Sequence, residues 1–194
     1  MADRPTLIVA GLGRCGTSLA MNMLCAAGLP VVGKAPGFEC AEAQTLLERL
    51  PDQWAERVRG RAVKVLDAHR WQIPHLGEYD LLWLARDPAQ QARSMVKLMM
   101  ATGQPVQPNR GTLRALAKSI RQDTPRAIRR LQRAGTQRAG IAIVFEDIIE
   151  HPRRTAATIC EAFGIDEARA PAMAAQVRDR DTHCLPVLAE AFHG

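Results

Sequence analysis

The order of apolar runs and helical segments predicts an α/β domain with three layers, in which a parallel sheet of about four to five strands lies between helices. The chain has 194 residues, of which 47% are hydrophobic, and this suits one domain with its own core. Short apolar runs that are typical of buried strands occur at residues 6–10, 62–66, 80–85 and 141–145. A further strand or extended segment is expected at Val31 and Val32.

Segments with apolar residues at helical spacing follow these strands and predict the covering layers. We expect helices at residues 16–27, 40–50, 113–120 with a new start at 123–125, 152–163 and 166–177. A further helix begins after Asp87, the expected N-cap, and has Pro88 in its first position. An apolar strand that ends in aspartate also resembles a Walker B magnesium site, but the N-cap explains Asp87, so we assign it no metal. The side chains expected to face inward from this helix are Ala92, Met95, Val96, Met99 and Met100.

Charge and composition narrow the classes of function. The net charge is +6 and is carried mostly by arginine, whose planar guanidinium suits phosphate and sulfate. Aromatic residues make up only 4%, which disfavours a stacking platform for single strands. The arginine-rich face of residues 114–133 is expected to be a solvated helix exterior, so we expect no nucleic-acid partner.

The cysteines and the N-terminus predict the compartment. The five cysteines are scattered and form no C-x-x-C pair, which indicates reduced thiols rather than disulfides or a zinc site. The sequence shows neither the architecture of a signal peptide nor an apolar stretch of membrane length. We therefore expect a cytoplasmic protein without a membrane partner, and the oligomeric state stays open.

The turn at residues 11–18 is a predicted phosphate-binding loop, because it follows a strand, opens a helix and is rich in glycine. Its outline is that of a Walker A loop, but Thr17 stands where the lysine should be. A kinase uses that lysine, together with magnesium, to neutralise a triphosphate. A loop with Arg14 and two hydroxyls can still hold one 5′-phosphate without a metal. The residues predicted to bind the phosphate are Gly11, Gly13, Arg14, Cys15, Gly16, Thr17 and Ser18.

The run Gly-Leu-Gly-Arg-Cys-Gly-Thr-Ser-Leu resembles the 5′-phosphosulfate loop of sulfotransferases that use 3′-phosphoadenylyl sulfate (PAPS), G-x-P-R-S-G-T-T/S-x-L. The chain departs from it at Gly13, the usual proline, and at Cys15, a common serine. The run Leu-Ala-Arg-Asp-Pro-Ala-Gln-Gln-Ala-Arg-Ser-Met resembles the family's 3′-phosphate segment, with Arg86 eight residues before Ser94. Residues 144–165 resemble a later strand, proline and helix of the family, which supports the fold rather than the site.

The resemblance implies a metal-independent sulfotransferase that moves a sulfuryl group from PAPS to a hydroxyl or amine of a small-molecule or glycan acceptor. The nucleotide product is PAP, which is PAPS without its sulfuryl group. A P-loop kinase of small molecules and a nucleotide-binding protein without catalysis remain alternatives. The family's Arg-Lys-Gly segment, which completes the 3′-phosphate site, has no counterpart here; Arg178 or Arg180 is a candidate substitute.

The catalytic group is expected to combine cations with a general base. Lys64 resembles the Lys-x-Pro lysine of bacterial relatives, which implies that it steadies the sulfonate or the bridging oxygen; Arg14 is expected to join it in the catalytic group. Glu39 is the first candidate for the base, because it follows a Gly/Pro loop beside the phosphate loop. His69 is the second candidate, because histidine has a suitable unperturbed pKa. It ranks below Glu39 because it lies five residues beyond Lys64, whereas the Lys-Thr-His pattern of cytosolic relatives places the histidine two residues after the lysine. Asp67 is the third, with a turn cap as its simpler role.

Overall fold

The computed structural model describes residues 4–178 and contains a four-stranded parallel sheet. The strands lie in the order β2-β1-β3-β4, which confirms the predicted α/β class. Residues 31–32 form no full strand; Val31 makes an isolated parallel bridge with Ala62. The strands are β1 (Thr6–Gly11), β2 (Ala62–Leu66), β3 (Glu78–Ala85) and β4 (Thr136–Val144).

Helices cover both faces of the sheet, so the three-layer architecture is also confirmed. Alternate residues of β1 belong to two different hydrophobic cores, with Leu7 and Val9 in one and Ile8 and Ala10 in the other. The described helices are α1 (Thr17–Ala26), α2 (Ala41–Arg49), α3 (Pro51–Val58), α4 (Pro88–Ala101), α5 (Arg110–Gln132), α6 (Phe145–Glu150), α7 (Pro152–Phe163) and α8 (Ala170–Ala174). Short 3-10 turns lie at Ala68–Arg70 and Glu167–Arg169.

The predicted break at Pro125 is wrong, because α5 runs through this residue. Proline removes one helical hydrogen bond, but Ile120 before it and Ala127 and Leu131 after it are all buried on one face. Burial of that continuous face outweighs the local penalty. The Thr124 hydroxyl also donates to the carbonyl of Ile120 at 2.8 Å.

Other boundaries differ where the signal is polar or short. β4 begins at Thr136, before the apolar run, because the guanidinium of Arg138 pairs with the buried carboxylate of Asp80 at 3.1 and 2.8 Å. Phe145 starts α6 instead of ending the strand. The expected helix over residues 166–177 is a 3-10 turn followed by the short α8, and α3 had not been expected. Met100 is 42% exposed, so its predicted inward position is wrong.

The strand order determines where a ligand can bind. β1 lies between β2 and β3, and the chain leaves its carboxyl end into α1. Ligands of open α/β sheets bind at the carboxyl edge, at the point where neighbouring strands connect in opposite directions. The turn after β1 therefore occupies the expected position. Within residues 4–178, no helix is long and apolar enough to cross a membrane.

Candidate functional site

The turn between β1 and α1 has the backbone of a tight, concave loop. Arg14 and Gly16 both adopt the left-handed conformation, with φ of 71° and 99°. A Cβ on Gly16 would overlap the ring of Phe145, and one on Gly11 would overlap the Cys15 sulfur and the Leu84 carbonyl oxygen. Glycine is therefore required at both positions. Gly16 is the N-cap of α1, so the first N–H groups of that helix face the loop's concavity.

Two side chains from outside hold the loop in place. The N–H of Gly13 donates to Asp67 Oδ1 at 3.1 Å, and Asp67 itself has a φ of 51°. Gln91 on α4 is 2% exposed, and its amide donates to the carbonyls of Leu12 and Gly13 at 3.1 and 2.7 Å. These hydrogen bonds, which are buried or partly buried, hold the loop in its concave conformation. The structure thus gives Asp67 a bracing contact, which sequence reasoning had not anticipated.

The two segments predicted for the 5′- and 3′-phosphates meet directly. Arg14 Nε donates to Ser94 Oγ at 3.1 Å, and Ser94 is 4% exposed on α4. Arg86, just beyond β3, donates from Nη1 to the Arg14 carbonyl at 3.4 Å. Its Nε lies 3.5 Å from Glu146 Oε1, and its guanidinium carbon lies 4.5 Å from the centre of the Phe145 ring. Arg86 therefore supports the loop as well as presenting a cation to it.

Lys64 brings a third element to the loop, from the neighbouring strand β2. Its side chain is only 3% exposed, and its ammonium donates to Ser18 Oγ at 3.3 Å and to the carbonyl of Gly37. Nζ also lies 3.0 Å from Glu39 Oε1. The Glu39 side chain is 74% exposed, so the buried cation is paired with a carboxylate that reaches solvent.

These groups line one cleft of about 590 Å³, a size within the usual range for small-molecule sites. Four basic and two acidic side chains line it, an excess of positive charge that suits a polyanion: Arg14, Lys64, Arg70, Arg86, Glu39 and Asp67. Met95, Leu98 and Met99 of α4 supply an apolar wall. Arg70 and this wall had not been identified from the sequence. Arg70 lies just past the β2 strand end, and that position was an available signal.

Gly13, Arg14, Gly16, Thr17 and Ser18 of the predicted loop all line the cleft.

Cys15 and Gly11 lie beneath the loop instead of lining the cleft. The Cys15 side chain is 1% exposed, and burial raises the pKa of its thiol to about 12, against a smaller lowering by the backbone at Thr17. The thiol stays neutral near pH 7, so it does not act as a nucleophile or an ionised ligand. Only the backbone at Cys15 is suited to contact an anion.

His69 lies on the 3-10 turn after β2 and is not among the residues that line the cleft. Its Nε2 is 3.9 Å from Asp123 Oδ2 of α5. Burial raises the pKa of Asp123, but hydrogen bonds from Ser119 and Arg126 and the charges of His69 and Arg126 outweigh it, so the pKa is lowered. This placement disfavours His69 as the general base.

The remaining sequence assignments concern Asp87, Arg178 and Arg180. Asp87 is the N-cap of α4, and its carboxylate accepts from the N–H of Gln90 at 2.9 Å, which confirms the predicted cap. Arg178 is exposed at the end of the described chain and is not among the residues lining the cleft. Arg180 lies outside the described residues.

Solved structures with the same fold are sulfotransferases. One from Alicyclobacillus acidocaldarius is 15% identical, with a TM-score of 0.52, and the match covers 96% of this chain and 89% of that one. A sulfotransferase domain from the curacin biosynthetic pathway is 14% identical with a TM-score of 0.53, over 97% and 83% of the two chains. Sulfotransferase STF9 from Mycobacterium avium is 16% identical with a TM-score of 0.52, over 100% and 76%.

No protein-family model matches the chain, and no curated protein matches it in sequence. Because the identities to the solved structures are low, their likeness shows that this chain has a sulfotransferase-like fold and leaves its activity to be argued from the site.

Proposed function

We propose that this protein is a sulfotransferase that transfers a sulfuryl group from PAPS to a hydroxyl or amine of an acceptor, without a metal ion. The observation that carries the proposal is the position of Lys64. A Walker A loop places its lysine directly before the terminal Ser/Thr, and here Thr17 occupies that place. The cation comes instead from β2, with Nζ 3.3 Å from the Ser18 hydroxyl.

The residues of the cleft fit a nucleotide that carries a phosphosulfate and a separate phosphate. The N-terminus of α1 and the hydroxyls of Thr17 and Ser18 offer donors to a 5′-phosphate. Arg86 lines the same cleft and contacts the loop at the Arg14 carbonyl, so its guanidinium can meet a second phosphate. Ser94 is bonded to Arg14, so its hydroxyl supports the arginine in the unliganded protein.

When bound, the nucleotide supplies an activated sulfuryl group. Lys64 is positioned to donate to the oxygens around that group, and its burial strengthens the interaction because water screens it little. Glu39 lies within 3.0 Å of the same ammonium and reaches the open part of the cleft, so its carboxylate can accept the acceptor's proton. The acceptor oxygen or nitrogen then forms its bond to sulfur while the bond to the phosphate oxygen breaks.

Calorimetric titration of the full chain with PAP and with ATP, each with and without magnesium, tests the proposal. We expect PAP to bind more tightly than ATP and its affinity to be the same with and without magnesium. Tighter binding of magnesium-ATP would contradict the sulfotransferase and favour a P-loop kinase. PAP binding without turnover of PAPS on any acceptor would favour a nucleotide-binding protein without catalysis.

A further inference from the structure

A second cavity of about 290 Å³ adjoins the nucleotide cleft. It lies between β2 and the helices α2 and α3. The two cavities lie side by side, because they share five lining residues: Glu39, Lys64, Leu66, Asp67 and Arg70. The proposed base and the buried cation therefore stand at the junction between the cleft and this second cavity.

The walls of the second cavity beyond the junction are mainly apolar, and three of the lining side chains are aromatic: Phe38, Trp54 and Trp71. Trp54 of α3 is 2% exposed, and Trp71 donates its indole N–H to the Leu66 carbonyl at 2.8 Å, so both rings are held in position. The aliphatic part of the lining comes from Val32, Ala43, Leu47, Val63 and Val65. Gln44 also contributes, but it is exposed and its amide donates to Glu48 at 3.4 Å.

This distribution of polarity selects a class of acceptor. The charged groups all lie at the end that joins the nucleotide cleft, so a ligand would place one polar group there and its apolar body against the indoles. A sugar carries hydroxyls on every side, and those facing the aliphatic walls would lose their hydrogen bonds to water. The volume is at the small end of the range for ligand sites, which suits one or two rings.

We propose that the acceptor is a small phenol, held by Trp54 and Trp71 with its hydroxyl at Glu39 and Lys64; this rests on the proposed sulfotransferase function. In the reaction the phenol oxygen forms a bond to sulfur, and the bond between sulfur and the bridging phosphate oxygen breaks. The phenol proton passes to the Glu39 carboxylate, and the electron pair of the broken bond leaves on PAP. A phenol therefore fits this cavity better than a glycan, which the sequence had left as an alternative acceptor.

The experiment measures binding of 2-naphthol and of methyl glucoside to the full chain by calorimetry, with PAP titrated separately. We expect 2-naphthol to bind at least about tenfold more tightly than the glucoside. Ala43 of α2 lines the second cavity, so Ala43→Leu places a larger side chain in it. This substitution should weaken the binding of 2-naphthol by at least about tenfold and leave PAP affinity unchanged. Ala115→Leu, the same change at an exposed position of α5, should alter neither affinity.

Equal binding of the two compounds, or no binding of 2-naphthol to the unmodified chain, would overturn the phenol proposal without any variant being needed. Unchanged 2-naphthol affinity in a folded Ala43→Leu protein would overturn it as well. If Ala43→Leu does not fold, Trp71→Leu replaces it, because Trp71 is half-buried and lines the same cavity. This variant should likewise lose affinity for 2-naphthol and keep its affinity for PAP. PAP binding separates the two proposals: PAP bound without 2-naphthol rejects only the phenol, and absence of PAP binding rejects the sulfotransferase.

Discussion

Replacing Lys64 with methionine removes one charge from the cleft and keeps an apolar side chain of similar length. The Lys64 side chain is 3% exposed, and its ammonium makes hydrogen bonds to Ser18 and Glu39 at 3.3 and 3.0 Å, so the charge acts in a medium that screens it weakly. Loss of one donor that acts on developing charge in such a site costs about 2.7–4 kcal/mol, or roughly 10²–10³ in kcat. We expect a fall of that size in Lys64→Met.

The assay is the rate of PAP release from PAPS with 2-naphthol as acceptor, together with calorimetric PAP affinity. PAP lacks the sulfonate, so its affinity should change by less than about tenfold. Lys118→Met on the exposed face of α5 is the matched control and should keep the full rate. A fall of less than about tenfold in kcat for Lys64→Met, or equal losses in rate and in PAP affinity, would refute the assignment of Lys64 to the transferred group.

Four further substitutions test the general base, the second phosphate position and the Asp123 carboxylate. Glu39→Gln should lower turnover by at least about a hundredfold and leave PAP affinity nearly unchanged, because glutamine keeps the shape of the side chain but cannot accept a proton. His69→Asn should retain turnover, because His69 faces Asp123. Arg86→Ala should weaken the binding of PAP by about 1.5–3 kcal/mol, the free energy of a lost charged hydrogen bond. It should weaken the binding of AMP much less, because AMP lacks the 3′-phosphate. Asp123→Asn should lower the free energy of unfolding at pH 7, because the pKa of Asp123 is lowered in the folded state. The stability that this gives is present above the usual pKa of 3.8 and is lost as the pH falls through the folded-state pKa. Urea unfolding of both proteins at pH 7 and at pH 3 measures the loss of stability caused by the substitution, which should be smaller at pH 3.

Each of these predictions has an outcome that contradicts it. An unaltered rate in Glu39→Gln, or loss of turnover in His69→Asn alone, would move the base away from Glu39. Equal losses of PAP and AMP affinity in Arg86→Ala would show that Arg86 acts through its contacts with Arg14 and the Phe145 ring. A destabilisation by Asp123→Asn that is the same at both pH values would remove its charge as the cause.

Some of the site was predictable because its signals are local. Glycine is required at Gly16 by backbone conformation and at Gly11 by close approach, and both requirements leave a pattern within a few residues. Asp87 and Pro88 likewise mark the start of α4 through their own capping chemistry. The bracing of the loop by Gln91 and Asp67 left no such pattern, because these contacts join residues far apart in sequence.

The sequence by itself determined the parallel α/β fold and the glycine-rich turn that opens α1, since hydrophobic period, glycine and proline act over short stretches of chain. Only the tertiary structure decided which polar groups meet. Pairing of β1 with β2 places Lys64 opposite Val9, and this register brings its ammonium to Ser18 and Glu39. The same packing turns His69 towards α5 and forms the aromatic cavity from α3 and the turn after β2. These contacts depend on strand register and helix docking, which arise from the whole core rather than from any one segment.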